Sequence, residues 1–150
     1  MNPSVNLVEY VMEFDQVRKY LLAKPFTTES FPFGEDTHVF KVKSKMFALV
    51  AWRKNALMIN LKCDPDESCA LRDIFNSITT GYHMDKKHWI SVYYPNSIAN
   101  QIKTEGSSNS ETRPISIVPN GELERIIDNS FMLVVSKMPK KEQTSILLNL

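Results

Sequence analysis

Three consecutive β-strand patterns fill residues 37–63 and restrict the fold more than any other part of the chain. Apolar and polar residues alternate along 38–43 and again along 57–62, the two-residue period of a strand with one buried face. Residues 46–53 are apolar on both faces, which is typical of a central strand. The dipeptide at 54–55, Lys-Asn, fits a tight turn because Asn tolerates positive φ. We therefore predict three sequential antiparallel strands.

The same stretch is strongly cationic. It carries six Lys or Arg residues and no Asp or Glu, whereas the whole chain has a net charge of only +1. A nearly neutral protein with this distribution is expected to present one basic face. Such a face either neutralises phosphates of duplex DNA or solvates an exposed sheet and discourages edge-to-edge aggregation. The candidate phosphate contacts are Lys41, Lys43, Lys45, Lys54 and Lys62.

The N-terminal part shows a helical pattern. Apolar residues recur at helical spacing along 15–23, and Asp15 is a candidate N-terminal cap. Residues 3–12 form either a second short helix or an extension of the first. Acidic residues between positions 9 and 36 are mixed with basic ones, which favours a solvated helix face over an iron-binding ridge.

Further elements are predicted after residue 63. Asp64 and Pro65 are suited to begin a helix, whose apolar face would extend through Leu71, Ile74 and Phe75 to Ile78. The other predicted elements are a strand at 88–94, an added edge strand at 115–118, a helix at 122–135 and a last helix after Pro139.

Length and composition fit one domain covering residues 1–150. The chain is 43% hydrophobic with only four Gly, which suits a single buried core. The patterns together define an α+β protein with an antiparallel sheet flanked by helices. The polar segment 96–118 is expected to be a flexible surface insertion. Apolar runs are far shorter than the ~20 residues of a membrane span, and no secretory signal is evident. We therefore expect a cytoplasmic protein without a membrane partner, and we also expect a monomer.

The sequence contains no catalytic or metal-binding motif. Cys63 and Cys69 lack a second ligand pair at metal spacing, so we expect two reduced, buried structural thiols. His83 and His88 are candidates for an acid and a base, but no nucleophile motif or phosphate-binding loop accompanies them, which favours ordinary turn histidines. We predict a protein that is not an enzyme and uses no metal or cofactor.

A second candidate surface is the segment 81–89, which places cations beside two aromatic rings, a combination that binds phosphate and stacks on planar groups. In one interpretation Lys86 and Lys87 form a nucleic-acid-binding turn. In another, an aromatic corner binds a small ligand or a protein partner, and a concave apolar pocket would identify it. In a purely structural interpretation, the aromatic rings only anchor the turn. The corner residues are Phe31, Phe33, Tyr82, His83, His88 and Trp89.

Several short motifs resemble the MmcQ/YjbR family of small bacterial proteins. The resemblance runs from about residue 13 to about residue 147, and its most specific part is the block 81–92, Gly-Tyr-His-Met-Asp-Lys-Lys-His-Trp-Ile-Ser-Val. The other matching motifs are Phe-Pro-Phe-Gly at 31–34, Val-Phe-Lys-Val at 39–42, Lys-Met-Phe-Ala at 45–48 and Met-Pro-Lys-Lys at 138–141.

That resemblance implies a frataxin-like α+β fold and a DNA-binding role through a double-wing motif. Joined to the cationic stretch, it makes a DNA-binding module that contacts double-stranded DNA our leading expectation. A module for a small molecule or a protein partner at the aromatic corner is the alternative. The family usually has a short turn where this chain carries the polar segment 96–118.

Overall fold

One six-stranded antiparallel sheet organises the protein. The computed structural model describes residues 13–95 and 115–150. Neighbouring strands follow the order β1-β2-β3-β4-β6-β5. The three sequential strands predicted for the cationic stretch are confirmed as β2, β3 and β4. The strands are β1 (Thr27–Ser30), β2 (His38–Val42), β3 (Lys45–Arg53), β4 (Ala56–Lys62), β5 (Ile78–Thr80) and β6 (Trp89–Pro95).

Two tight turns connect β2, β3 and β4. Lys43 and Ser44 have φ angles of 46° and 77°, and Lys54 and Asn55 have φ angles of 53° and 61°. Positive φ at both central residues gives a turn whose twist matches that of the paired strands. The predicted turn at Lys54 and Asn55 is therefore confirmed, although no Gly is present in it.

In the described part of the chain, four helices pack on one face of the sheet. Their buried side chains, such as Val17, Leu71 and Phe131, share one apolar cluster with the strand residues Phe40 and Ile59. The α+β class and the antiparallel sheet are thus confirmed, while the frataxin-like arrangement stays a prediction. The helices are α1 (Phe14–Leu22), α2 (Pro65–Ile74), α3 (Asn120–Val135) and α4 (Lys140–Leu147).

The first helix begins earlier than predicted. Glu13 is its N-cap residue, and the backbone N–H of Glu13 donates a 2.9 Å hydrogen bond to the side-chain oxygen of Gln16. Asp15 therefore lies inside the first turn, where its charge suits the positive end of the helix. The prediction of Asp15 as the cap was wrong, because the local pattern did not show how Gln16 reaches back. The helix considered at 3–12 lies outside the described residues.

Helix α2 begins as predicted and ends sooner. The Asp64 carboxylate accepts hydrogen bonds from the first turn, and Pro65 follows it. The helix ends at Ile74, whose side chain is 64% exposed, so Ile74 does not belong to the apolar face. Ile78 is buried as the first residue of β5. The three-residue strand β5, too short to show a period, takes the edge position of the sheet.

Residues 115–118 are not a strand, which corrects the predicted edge strand. They are held instead by side chains. The Asn76 side chain accepts a 2.7 Å hydrogen bond from the Ser116 backbone N–H, and the Tyr94 hydroxyl donates to the Val118 carbonyl at 2.8 Å. β5 already pairs with β6 on this side of the sheet, so residues 115–118 do not take the edge position. The rest of the predicted insertion, 96–114, lies outside the described residues.

The two cysteines have different environments. Cys63 is buried, and burial together with the nearby Glu67 raises the pKa of its thiol to about 12. Cys69 is exposed on α2, so the prediction of a buried thiol was wrong there. A helical pattern places a residue around the helix axis but does not by itself show which side meets the core. None of the described helices combines the length and apolar character that a membrane crossing requires.

The sheet carries apolar side chains on both faces. The large cluster lies under the helices, where the Phe47 and Phe131 rings meet edge to face at 5.2 Å. A second, smaller cluster lies on the opposite face, where no described helix contributes a residue. We call this second surface the helix-free face. It contains the buried residues Val39, Leu49, Ala51 and Met58, with Met46, Tyr82 and Tyr93 packed against them.

Candidate functional site

The strand register determines which side chains share the helix-free face. Asn60 lies opposite Leu49 on one side and Ser91 on the other. Met58 in the same way lies opposite Ala51 and Tyr93. Because directly opposite residues of antiparallel strands project from the same face, these six side chains form a continuous floor of apolar groups with two polar ones.

A buried polar pair holds the segment after β5 over this floor. Ser91 Oγ donates to Asn60 Oδ1 at 2.6 Å, and the exposed fractions of these residues are only 0% and 1%. Asn60 Nδ2 donates to the Tyr82 carbonyl at 3.2 Å, and the Tyr82 N–H donates to Ser91 Oγ at 2.9 Å. Both backbone groups of Tyr82 are thus satisfied by the sheet, so its ring is held across the helix-free face.

Gly81 allows this segment to approach the sheet. Its N–H donates to the Trp89 carbonyl at 2.8 Å, and a Cβ added to Gly81 would lie only 2.7 Å from the Trp89 Cβ. Close approach, rather than an unusual φ, therefore requires Gly here. His83, two residues later, has a φ of 57°, which is uncommon for a residue with a side chain and marks a locally strained segment.

The space between this segment and the sheet is a cavity of about 500 Å³. That volume lies within the ~300–1,000 Å³ of typical small-molecule sites. Its floor is largely apolar, and aromatic rings stand at its edges. Among residues 13–95 and 115–150, no Asp or Glu lines it. The lining residues are Phe33, Thr37, Met46, Leu49, Ala51, Trp52, Arg53, Met58, Asn60, Tyr82, His83 and Met84.

Arg53 supplies the cavity with a cation. Its guanidinium carbon lies 3.9 Å from the centre of the Tyr82 ring, a cation–π contact, and its Nη1 lies 3.4 Å from the Tyr93 hydroxyl. The Tyr82 side chain in particular raises the pKa of Arg53. Among the described residues, Arg53 has no ion pair with a carboxylate, unlike Arg18 and Arg125.

An aromatic cluster borders the cavity at Trp52. His38 packs against the Phe14 and Phe31 rings at 4.7 and 4.9 Å, and Phe14 reaches Trp52 at 4.9 Å. His38 Nδ1 lies 2.6 Å from a Glu29 oxygen. This ring packing includes Phe31 of the predicted corner and contacts the exposed Trp52 ring, which also lines the cavity.

Glu29 is a structural carboxylate. Arg18 donates to both of its oxygens at 2.9 and 3.1 Å. The hydrogen bond from Arg18, and then that from His38, holds the pKa of Glu29 below its usual range. This acid therefore connects α1 to β1 and β2. Among residues 13–95 and 115–150, the structure shows no group of three or more His, Cys, Asp or Glu side chains that could hold a metal ion.

The structure brings together only part of the predicted aromatic corner. Phe33, Tyr82 and His83 line the cavity, but Phe31, His88 and Trp89 do not. His88 instead pairs with Asp85 at 2.9 Å within the turn and lowers the pKa of that carboxyl. The two histidines are thus separated, and the cavity contains no carboxylate that could orient His83 as a base.

The predicted phosphate contacts divide between the two ends of the strands. Six of them lie at the end where β2 turns into β3, which is also where β4 ends and β6 begins. Lys54 lies in the turn at the opposite end. Two of the six are engaged locally: Lys43 covers the Phe26 ring at 4.6 Å, and Lys86 Nζ donates to the Gly81 carbonyl at 3.2 Å. The six are Lys41, Lys43, Lys45, Lys62, Lys86 and Lys87.

Sequence reasoning missed several cavity residues. Arg53 was counted only as one charge of a basic stretch, and Asn60 and Ser91 were treated as ordinary strand positions. One signal was present: β3 is apolar on both faces, so its second face needed a cover of some kind. The identity of that cover depends on a contact between residues 22 positions apart, Asn60 and Tyr82, which no local pattern reveals.

These features define a small α+β protein in which helices cover one sheet face and a cavity lies on the other. Comparison with known sequences gives its family. A YjbR family model matches residues 22–133, and the chain belongs to the YjbR family.

The relatives are similar over most of their length. The uncharacterized protein YbdF of Escherichia coli O157:H7 is 33% identical over 129 residues, covering 86% of this chain and 89% of YbdF. The uncharacterized protein YjbR of Escherichia coli K12 is 23% identical over 132 residues, with 88% and 95% covered.

Solved structures show the same fold. A crystal structure of a Deinococcus radiodurans protein has a TM-score of 0.65 at 30% identity, covering 88% of this chain and 86% of that one. A Pseudomonas syringae protein has a TM-score of 0.58 at 25% identity, with 82% and 99% covered.

Proposed function

We propose that the protein is a non-catalytic binding module that holds a small, largely apolar molecule in the cavity on the helix-free face. The observation that carries this proposal is the cavity itself, about 500 Å³ above a floor of Leu49, Ala51 and Met58. Apolar side chains at the centre of a sheet face that no described helix covers give a ligand a favourable surface to bury.

The support around the cavity is rigid. The floor belongs to three central strands, and the buried Asn60–Ser91 pair holds the cover through the Tyr82 backbone. A site built on paired strands loses little entropy when a ligand binds, because its groups are already ordered. This rigidity distinguishes the cavity from a gap beneath a loosely attached loop.

Fluorescence titration with N-phenyl-1-naphthylamine, a neutral probe that brightens in apolar surroundings, tests the proposal. We expect saturable binding to the unaltered protein. Ala51→Phe, which fills the floor, should weaken binding at least tenfold. Ala70→Phe is the matched control, because Ala70 is exposed on α2 on the other side of the sheet. Absence of saturable binding, or equal binding by both variants, would count against the proposal.

DNA binding is the second candidate, and the clustering of six Lys residues at one end of the strands favours it. Duplex DNA would contact that end rather than the apolar centre of the helix-free face. Fluorescence anisotropy with a labelled duplex at several salt concentrations tests this function, since phosphate contacts must weaken steeply as salt rises. Lys41→Gln with Lys62→Gln should flatten that dependence, whereas Lys54→Gln should leave it unchanged.

A further inference from the structure

We infer that the ligand is a small organic anion with a flat, aromatic body and that Arg53 binds its carboxylate, sulfonate or phosphate group. This inference rests on the proposed ligand-binding function and specifies the chemical class that the same cavity accepts. Three observations carry it: the bonding of Arg53, the charge of the cavity lining and the position of the aromatic rings.

The bonding of Arg53 leaves its donors suited to an anion. The Arg53 guanidinium carbon lies 3.9 Å from the centre of the Tyr82 ring. A guanidinium has five N–H donors, and a contact with an aromatic ring orients the cation without neutralising its charge. The Tyr93 hydroxyl at 3.4 Å is a long and therefore weak contact.

Two of the other described arginines have carboxylate partners, whereas Arg72 donates to Ser68 Oγ at 3.3 Å and, like Arg53, forms no ion pair with a described carboxylate. Of these four arginines, Arg53 is the one that lines the cavity. Arg18 donates to Glu29 at 2.7 Å, and Arg125 donates to Glu67 at 2.7 Å and to Glu122 at 2.6 Å. Those guanidinium groups have carboxylates from their own chain. In the described part of the chain Arg53 has aromatic neighbours in that place, which orient the cation without neutralising it.

The charge of the cavity lining also favours a negatively charged ligand. Arg53 is a cationic side chain of the cavity, and no carboxylate is among the described residues that line it. In a cavity with apolar walls such a cation attracts an anion more strongly than it would in bulk water, because less solvent screens the pair.

The aromatic rings indicate the shape of the ligand body. Phe33 and Trp52 are 70% and 46% exposed and line the cavity near its mouth, while Tyr82 covers it from the segment after β5. Rings at the edges of an apolar floor favour a planar group through offset or edge-to-face stacking. A flat ring system with one anionic substituent therefore satisfies the floor, the rings and Arg53 together.

The test compares two probes that differ by one anionic group. The first is 8-anilinonaphthalene-1-sulfonate, and the second is N-phenyl-1-naphthylamine, which has the same ring system without the sulfonate. We expect the unaltered protein to bind the sulfonate probe at least tenfold more tightly. Arg53→Met keeps an unbranched stem of the side chain and removes its charge. It should weaken sulfonate binding about tenfold or more and reduce the preference for the sulfonate probe over the neutral probe to less than about twofold.

Lys54→Met is the matched control, because it removes an adjacent cation that does not line the cavity. It should leave both affinities within twofold. If both probes bind equally and Arg53→Met weakens neither, the inference about the anion is overturned while the binding module stands. The same holds if Lys54→Met weakens sulfonate binding as much as Arg53→Met does. If neither probe binds, the proposed function and the inference fail together.

Discussion

Asn60 and Ser91 form a buried hydrogen bond of 2.6 Å beneath the segment that covers the helix-free face. They lie on the adjacent strands β4 and β6, directly opposite one another. The pair also binds the backbone of Tyr82, since Asn60 Nδ2 donates to the Tyr82 C=O and the Tyr82 N–H donates to Ser91 Oγ. One polar pair in an otherwise apolar face therefore determines where the cover of the cavity lies.

Ser91→Ala should lower the free energy of unfolding by about 1–3 kcal/mol, because it leaves buried polar groups of Asn60 and Tyr82 without a partner. Chemical denaturation measures the loss. Neutral-probe binding should weaken as well, since the cover is no longer held. Thr28→Ala is the control, because Thr28 is exposed on β1 and should change stability by less than about 0.5 kcal/mol. Equal effects of the two substitutions would contradict the role of the polar pair.

Gly81→Ala should destabilise the fold by about 1–3 kcal/mol, because the new Cβ would lie 2.7 Å from the Trp89 Cβ and force the segment away from β6. Thermal unfolding and probe titration together measure this displacement. Gly121→Ala is the matched control: a Cβ there meets nothing within 4 Å, and Gly121 lies in the first turn of α3. The control should be neutral or slightly stabilising, since Ala favours helix. A neutral Gly81→Ala would show that the close approach is not needed.

Ser130→Ala should remove a link between α3 and the sheet. Ser130 Oγ accepts from the Lys62 N–H at 2.8 Å and donates to the Phe47 carbonyl at 2.6 Å, at the bulge of β3. The substitution leaves two backbone groups unpaired and should cost about 1–3 kcal/mol of stability in urea unfolding. Ser136→Ala, at the exposed end of α3, should cost less than about 0.5 kcal/mol. If Ser130→Ala also lowered the free energy of unfolding by less than about 0.5 kcal/mol, Ser130 would not link α3 to the sheet in the way described.

The Glu29 cluster predicts how stability depends on acid. Hydrogen bonds from Arg18 and His38 lower the pKa of Glu29 in the folded protein below the ordinary value of 4.5. As the pH falls, the unfolded chain therefore binds the proton before the folded protein does. The stabilisation is complete above about pH 4.5 and is lost as the pH falls through the lower pKa of Glu29 in the folded protein. Glu29→Gln should reduce stability near neutral pH by about 1–2 kcal/mol, because charge-assisted hydrogen bonds are lost.

Urea unfolding at a series of pH values between 7 and about 3 measures this dependence. The difference between the unaltered protein and Glu29→Gln should shrink as the pH falls. Glu124→Gln is the comparison variant, because Glu124 forms no ion pair with a described cation. A difference between the unaltered protein and Glu29→Gln that stays constant down to low pH would show that the charge of Glu29 does not stabilise the fold.

Strands β2, β3 and β4 could be predicted from the sequence because alternation is a local property. In β2, Phe40 and Val42 are buried under the helices as the two-residue period requires. The Lys54–Asn55 turn and the Asp64 cap likewise depend on residues within a few positions of one another. The three-residue strand β5 was missed because it is too short to display any period.

The site could be predicted only in part. Phe33, Tyr82 and His83 were identified as a corner because aromatic rings and a His near a turn suggest a ligand. His88 and Trp89 were added because they are close in sequence, but neither lines the cavity, and His88 pairs with Asp85 within the turn. Arg53 was counted only as one charge of the basic stretch, because its charge is visible in the sequence while its contact with the Tyr82 ring is not.

The sequence by itself determined the α+β class, the three central strands and the concentration of positive charge along them, because periodicity and composition are local properties. Only the tertiary structure decided how those charges are divided. It separated Lys54 from six other lysines, directed Arg53 over the helix-free face and placed Tyr82 across it. The physical reason is that strand pairing joins residues such as Asn60 and Ser91, 31 positions apart, through contacts that form only when the whole sheet is assembled.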